Sequence, residues 1–208
     1  MLKWRIIDHR PVIALSKFIS TMKHRSELIS CIILAGGEGK RVGGQDKGLI
    51  EYKDKKLIEH VIARMKPQVD EIIISANRNI QQYEKFGYKV VSDTTDNYLG
   101  PLAGINSALT LCSYDLLLVV ACDMPDLPID LAAKLFTGII NSDLAIAETE
   151  DRLQLSFMFK RTLSDSVNQS LHERNLRLMR WVMQQQPTII NFKNTSAFNN
   201  INQPINLD

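Results

Sequence analysis

The sequence predicts an α/β fold in three layers, with a mostly parallel central sheet covered by helices on both faces. Two observations carry this expectation. Apolar runs without alternation, such as Ile32–Ala35 and the LLLVVA stretch within Asp115–Ala121, read as strands buried on both faces. Between such runs lie segments whose apolar residues fall at helical spacing, and strands that alternate with helices build a parallel sheet through crossovers.

Taken in order, Ile32–Ala35 is the first strand and runs into a loop dense in glycine. Leu49–Tyr52 is a short extended piece before a turn at Lys53-Asp54-Lys55. From Lys56 to Lys66 the residues Leu57, Ile58, Val61, Ile62 and Met65 mark a helix, and Pro67 stops it. Glu71–Ser75 is the second strand, Ile80–Phe86 a short helix ending at Gly87, and Tyr88–Val91 the third strand. A glycine-proline loop, Asn97–Gly104, leads into a helix over Leu102–Leu111. The strand at Asp115–Ala121 is broken by Cys122-Asp123-Met124-Pro125. A helix over Ile129–Ile139 follows, with Asp126 and Asp130 as its turn and capping residues. Strands over Leu144–Ala147 and Leu155–Phe159, helices over Thr162–Leu171 and Leu176–Gln184, and a strand over Thr188–Asn191 complete the pattern.

A length of 208 residues suits one domain, expected over residues 22–208. Residues 1–21 read as a flexible extension rather than a signal peptide, because Lys17 cuts the apolar segment Val12–Leu15; Met22 is an alternative start. A net charge of +2 does not indicate a nucleic-acid-binding surface. No apolar run approaches the about 18 residues of a membrane span. Cys31, Cys112 and Cys122 read as reduced thiols of a cytoplasmic protein. His9, His24, His60 and His172 are scattered and support neither a metal centre nor a catalytic triad.

The stretch Cys31–Glu51 holds six glycines between Gly36 and Gly48, together with Lys40, Arg41 and Lys47. Backbone N–H groups unshielded by side chains can wrap a polyphosphate, and the cations neutralise it. The alternative is a surface connector, for which so many glycines are costly in chain entropy. The spacing is neither that of a P-loop nor a dinucleotide fingerprint. Asp123 follows a buried strand and reads either as a Mg2+ ligand facing a bound triphosphate or as a turn or capping residue; Asp93, after the third strand, carries the same ambiguity. Ala35, Ser75, Asp93 and Asp123 all fall at strand ends, where ligands of such sheets bind. Arg174, Arg177 and Arg180 form either a solvated face or a docking surface for an anionic second substrate.

These motifs resemble those of the molybdenum cofactor guanylyltransferases, nucleotidyltransferases with a Rossmann-like fold. The family pattern L-A-G-G-x-x-x-R-M-G-G-x-D-K-G-L stands here as Leu34-Ala35-Gly36-Gly37, Arg41-Val42-Gly43-Gly44 and Asp46-Lys47-Gly48-Leu49, with only Val42 departing. Ala76-Asn77-Arg78, Asp93, Gly100-Pro101-Leu102-Ala103-Gly104, Cys122-Asp123-Met124-Pro125, Phe198 and Asn200-Ile201-Asn202-Gln203-Pro204 continue the match.

The resemblance implies that Leu34, Ala35, Gly36 and Lys47 bind GTP, that Arg41 lies near the phosphates, and that Asp93 lines the nucleotide pocket. Ser75 stands where the family often has asparagine. Asp123 would bind GTP and hold Mg2+. Lys47, Arg41 and Asp123 are then the catalytic set. The implied reaction moves GMP from GTP to the terminal phosphate of molybdenum-bearing molybdopterin, releasing pyrophosphate. Gln154-Leu155-Ser156 lacks the His-Pro or Gln-Pro of many relatives. Alternatives are a cytidylyltransferase acting on the same pterin, a sugar-phosphate nucleotidyltransferase, and a nucleotide-binding protein without catalysis. A monomer is the default, with room for transient contacts with other cofactor-biosynthesis proteins.

Overall fold

The computed structural model describes residues 28–37, 46–93 and 99–201. The expected extension at 1–21, Arg41 with most of its glycine loop, His9, His24 and the Asn202-Gln203-Pro204 motif lie outside the described residues.

Strand β1 (Ile29–Leu34) enters the sheet directly. A one-turn 3-10 helix (Lys47–Leu49) then leads into the small hairpin β2 (Glu51–Tyr52) and β3 (Lys55–Lys56). Helix α1 (Leu57–Met65), strand β4 (Glu71–Ser75), helix α2 (Ile80–Glu84) and strand β5 (Lys89–Val91) follow. Next come α3 (Pro101–Leu109), β6 (Leu116–Ala121), α4 (Leu131–Ile139), β7 (Leu144–Thr149) and β8 (Arg152–Lys160). The chain continues through α5 (Ser164–His172), α6 (Leu178–Gln184) and β9 (Thr188–Asn191). Most expected elements are present within a few residues of their expected bounds.

The main sheet has seven strands in the order β5-β4-β1-β6-β8-β7-β9. Every neighbouring pair is parallel except those made by β8, which runs antiparallel to both β6 and β7. The β7–β8 connection is a two-residue turn at Glu150 and Asp151, both at positive φ (46° and 59°). Two positive-φ residues in succession match the twist of a tight hairpin. The turn at Lys53 and Asp54 (φ 48° and 63°) does the same for β2 and β3.

Residues along β1 alternate between two cores. Ile29, Cys31 and Ile33 pack with Ile58, Val61 and Met65 of α1, Tyr83 of α2, and Leu131, Leu135 and Ile139 of α4. Ile32 faces the other side, with Leu102 and Ile105 of α3, Val167 of α5 and Trp181 of α6. Hence the apolar run Cys31–Leu34 of β1, without alternation: both faces are covered. On the second face Phe157, Phe159 and Trp181 form an aromatic group with ring centroids 5.7–6.3 Å apart, and the Trp181 indole N–H donates to Ser166 Oγ.

Asp130 does not cap α4 with its side chain; it pairs instead with Lys134 at 2.8 Å. The N–H of Ala132, in the first turn of α4, donates to Gln68 Oε1 at 3.0 Å, and the Gln68 amide donates to the carbonyls of Arg64 and Pro128. One side chain thus joins the end of α1 to the start of α4, a capping role that short-range sequence rules do not reveal.

A Cβ added at Gly138 in α4 would stand 2.7 Å from the Ala145 Cβ on β7. Gly138→Val should therefore cost about 1–3 kcal/mol in a urea titration. Glu71 accepts hydrogen bonds from the Ser113 N–H, Lys89, and the Ser30 and Ser113 hydroxyls. Burial pushes its carboxyl up, but these donors together outweigh burial and hold it at about 2, below the ordinary 4.5. The stability this adds is present above the unfolded pKa and is lost as pH falls through about 2. Acid urea midpoints should fall less steeply in Glu71→Gln.

Candidate active site

Three parallel strands end side by side and set the site. Leu34, the last residue of β1, is in register with Ser75 on β4 and Ala121 on β6. The pairing continues past the strands, with Ala35 N–H donating to the Ser75 carbonyl at 2.7 Å and Cys122 N–H to the Leu34 carbonyl at 3.1 Å. The residues that follow each strand therefore emerge together at one sheet edge. The chain winds from β1 to β4 and β5, then returns to place β6 on the other side of β1, so the crevice lies at a topological switch point.

At that point Lys47 Nζ lies 3.0 Å from Asp123 Oδ2, an ion pair joining residues 76 apart in sequence. Asp123 is 8% exposed. Its carbonyl accepts the Ile201 N–H at 2.9 Å, so the C-terminal stretch holds the turn after β6. Lys47 stands at the start of the 3-10 helix, directly after Asp46. The Asp46 carboxylate is held by the Tyr83 hydroxyl on one oxygen and by the Asn79 amide, at 3.1 Å, on the other.

Beside the pair, on the β4 and β5 side, opens a pocket of about 350 Å³ lined by Leu34, Gly36, Gly37, Ser75, Asn77, Asp93, Gly100, Pro101 and Gly104. Gly100 takes φ 81°, which suits glycine, and Pro101 begins α3 immediately after it. A Cβ at Gly104 would collide with Ser75 Oγ, so glycine there lets α3 approach the end of β4. Asp93 and Asn77 clasp each other: Asn77 Nδ2 donates to Asp93 Oδ2 at 2.7 Å, and the Asp93 N–H donates to Asn77 Oδ1 at 2.9 Å. The other Asp93 oxygen, Oδ1, is buried with no hydrogen-bond partner among the described residues. Burial raises the Asp93 carboxyl above its ordinary range, and the Asn77 hydrogen bond pulls against that rise.

Of the residues singled out in the sequence, Leu34, Gly36, Ser75 and Asp93 meet in the pocket, and Lys47 and Asp123 meet beside it. Ala35 lies behind the pocket among core residues, its N–H engaged by Ser75. Asn77 is a pocket residue to which sequence reasoning gave no role. It stood within the Ala76-Asn77-Arg78 motif, but its hold on Asp93 depends on a neighbour across two strand ends. His60 bonds the Tyr52 carbonyl at 2.7 Å, far in role from any metal set. Arg174, Arg177 and Arg180 are all exposed.

The clasp makes a direct prediction. In Asn77→Ala the Asp93 carboxylate loses the donor that opposes burial, so its pKa should rise further. A 13C NMR titration of the Asp93 carboxyl carbon checks this, and an unchanged or lower value would contradict it.

A family model described as the MobA-like NTP transferase domain matches residues 31–188. A molybdenum cofactor guanylyltransferase of Shewanella woodyi is 43% identical over 180 residues, covering 85% of this chain and 92% of that protein. Its counterpart in Shewanella putrefaciens is 41% identical over 178 residues, covering 84% and 91%. Among solved structures, molybdopterin-guanine dinucleotide biosynthesis protein A from Archaeoglobus fulgidus superposes with a TM-score of 0.65 at 21% identity, over 84% of this chain and 93% of that one, a likeness of fold. With a sheet of matching architecture and relatives of this similarity over about 85% of the chain, the chain belongs to the molybdenum cofactor guanylyltransferase family of nucleotidyltransferases.

Proposed function

We propose that the protein transfers GMP from GTP to the terminal phosphate of molybdenum-bearing molybdopterin. The observation that carries this reading is the Lys47–Asp123 pair standing beside the Asp93 pocket at a single strand-end crevice. The pocket takes the nucleoside, and the triphosphate runs past Gly36 and Gly37 toward Lys47. Guanine presents two adjacent N–H donors on its pairing edge, and Asp93 Oδ1, which has no partner among the described residues, is an acceptor of the kind they need. Ser75, 2% exposed and against Gly104, shapes the pocket wall and offers a hydroxyl where asparagine is frequent in the family.

The chemistry is an in-line displacement. An acceptor phosphate oxygen forms a bond to the α-phosphorus while the bond from that phosphorus to the pyrophosphate oxygen breaks. The attacking oxygen is already ionised, so no general base is required, and positioning with charge neutralisation supplies the catalysis. Lys47 neutralises the departing pyrophosphate, and we assign Arg41 to the same charge on the resemblance. Asp123 is the residue that would hold Mg2+. Among the described residues no three His, Cys, Asp or Glu side chains gather to hold a metal. This suits Mg2+, which takes one or two protein carboxylates and completes its shell with substrate phosphates and water. The ion would add positive charge at the α-phosphate. All three cysteines are free thiols, which supports a cytoplasmic setting, and among the described residues no helix is long and apolar enough to cross a membrane.

A pyrophosphate-release assay with molybdopterin as acceptor, run across GTP, CTP, ATP and UTP, tests the reading. Release with GTP is expected, and release with CTP alone would move the assignment to a cytidylyltransferase. Asp123→Ala should lower the rate about 100-fold or more, the scale on which a preorganised electrostatic group is lost. Retention of GTP binding without any pyrophosphate release by the wild-type protein would overturn the enzymatic reading.

A further inference from the structure

We infer that Tyr83 and Asn79 are positioning residues that aim Lys47 by clamping the carboxylate of its neighbour Asp46. The inference rests on the proposed role of Lys47 toward the triphosphate. Asp46 and Lys47 are consecutive, and Lys47 opens a 3-10 turn whose N-cap is Asp46. Both Asp46 oxygens are engaged from α2: Oδ1 by the Tyr83 hydroxyl and Oδ2 by Asn79 Nδ2. Asp46 accepts these bonds instead of capping its own turn, since its side chain makes no cap hydrogen bond.

Two further features mark the clamp as built. Tyr83 is fully buried, its ring edge-on to Phe86, so the hydroxyl has a fixed direction. Burial, reinforced by the negative charge of Asp46, pushes the phenol far above its ordinary range, which keeps it a proton donor. Gly48, the residue after Lys47, is placed where any Cβ would stand 2.5 Å from the Tyr83 oxygen. Glycine is thus what allows the turn to lie against the hydroxyl. Asn79 sits at φ 51°, a backbone state that asparagine tolerates better than most residues, and this turns its amide toward Asp46.

The same segment also reaches the opposite end of the site. Asn77 holds Asp93, and Arg78 donates to the Gly37 carbonyl at 3.2 Å. Separate residues of one short stretch therefore serve the pocket end and the Lys47 end, so the Lys47 clamp can be loosened without touching Asp93.

Full-length Tyr83→Phe, Lys47→Met and the double variant would be compared by pyrophosphate release, with GMP affinity followed by calorimetry. Tyr83→Phe keeps the buried ring and removes one arm of the clamp. Its kcat should fall about tenfold, as for the loss of one hydrogen bond to a charged group. GMP affinity, set by the pocket, should stay at the wild-type value. The double variant should be no slower than Lys47→Met alone, because the clamp acts only through that lysine. A wild-type kcat in Tyr83→Phe, or losses that multiply fully in the double variant, would overturn the inference while leaving the role of Lys47 standing. A wild-type kcat in Lys47→Met would instead remove the reading beneath it. Should Tyr83→Phe fail to fold, Asn79→Gly keeps the positive φ, removes the other arm of the clamp, and carries the same expectations.

Discussion

Strand β1 is hydrogen-bonded along both edges, and that double pairing is the constraint on which the site depends. It brings the ends of β4, β1 and β6 level, so the residues after each strand leave the sheet at one edge. Only then can Lys47, carried by the loop after β1, reach Asp123 after β6. The two side chains are 27% and 11% exposed, a setting in which attraction and desolvation largely offset each other. The pair matters less as a source of stability than as a statement of geometry: two opposite charges are held at the switch point of the sheet.

Close approach of backbone elements does the remaining positioning. Gly104 lets α3 lie against Ser75, and Gly48 lets the Lys47 turn lie against Tyr83; in each case a side chain would force the two apart. The sequence patterns that look like a phosphate-binding loop are therefore partly packing patterns. Gly48 belongs to the D-K-G-L run, yet its structural reason is the tyrosine of α2, more than thirty positions away.

Where physical signals were local, the sequence was readable. Uniform apolar runs marked β1, β4 and β6, and helical spacing with Pro67 marked α1, because burial on both faces or on one stripe leaves a direct trace. The antiparallel insertion of β8 left no such trace, since the turn at Glu150 and Asp151 lacks the Asn-Gly or Asp-Gly dipeptide that announces a tight hairpin. Asp130 had the right residue type for a cap, but Lys134 one turn on competes for its carboxylate, and Gln68 fills the capping role from another helix. In the site, residue type suggested Lys47, Asp93 and Asp123, whereas their partners Asn77, Asn79 and Tyr83 are defined by contacts between elements. Ala35 shows the converse: a motif position whose backbone donor is already engaged within the sheet.

The two ends of the crevice differ in what they lack. At one end, Lys47 and Asp123 already satisfy each other's charge, the neighbouring Asp46 carboxylate is held by Asn79 and Tyr83, and the Asp123 carbonyl by the Ile201 N–H. At the other, a buried carboxylate oxygen of Asp93 has no donor among the described residues, and its burial raises the proton affinity of the group. Leaving a buried acceptor unsatisfied costs about 1–3 kcal/mol, so an oxygen without a donor among the described residues, beside an open pocket, favours a ligand that brings one. A ligand bringing N–H donors removes that cost, while one bringing only acceptors adds to it. On the proposed reading the base is thereby sorted from the phosphates before the acceptor arrives. A donor-bearing ring is drawn to Asp93 and an anionic chain to Lys47, and the order of these groups along the crevice fixes which phosphorus faces the incoming oxygen.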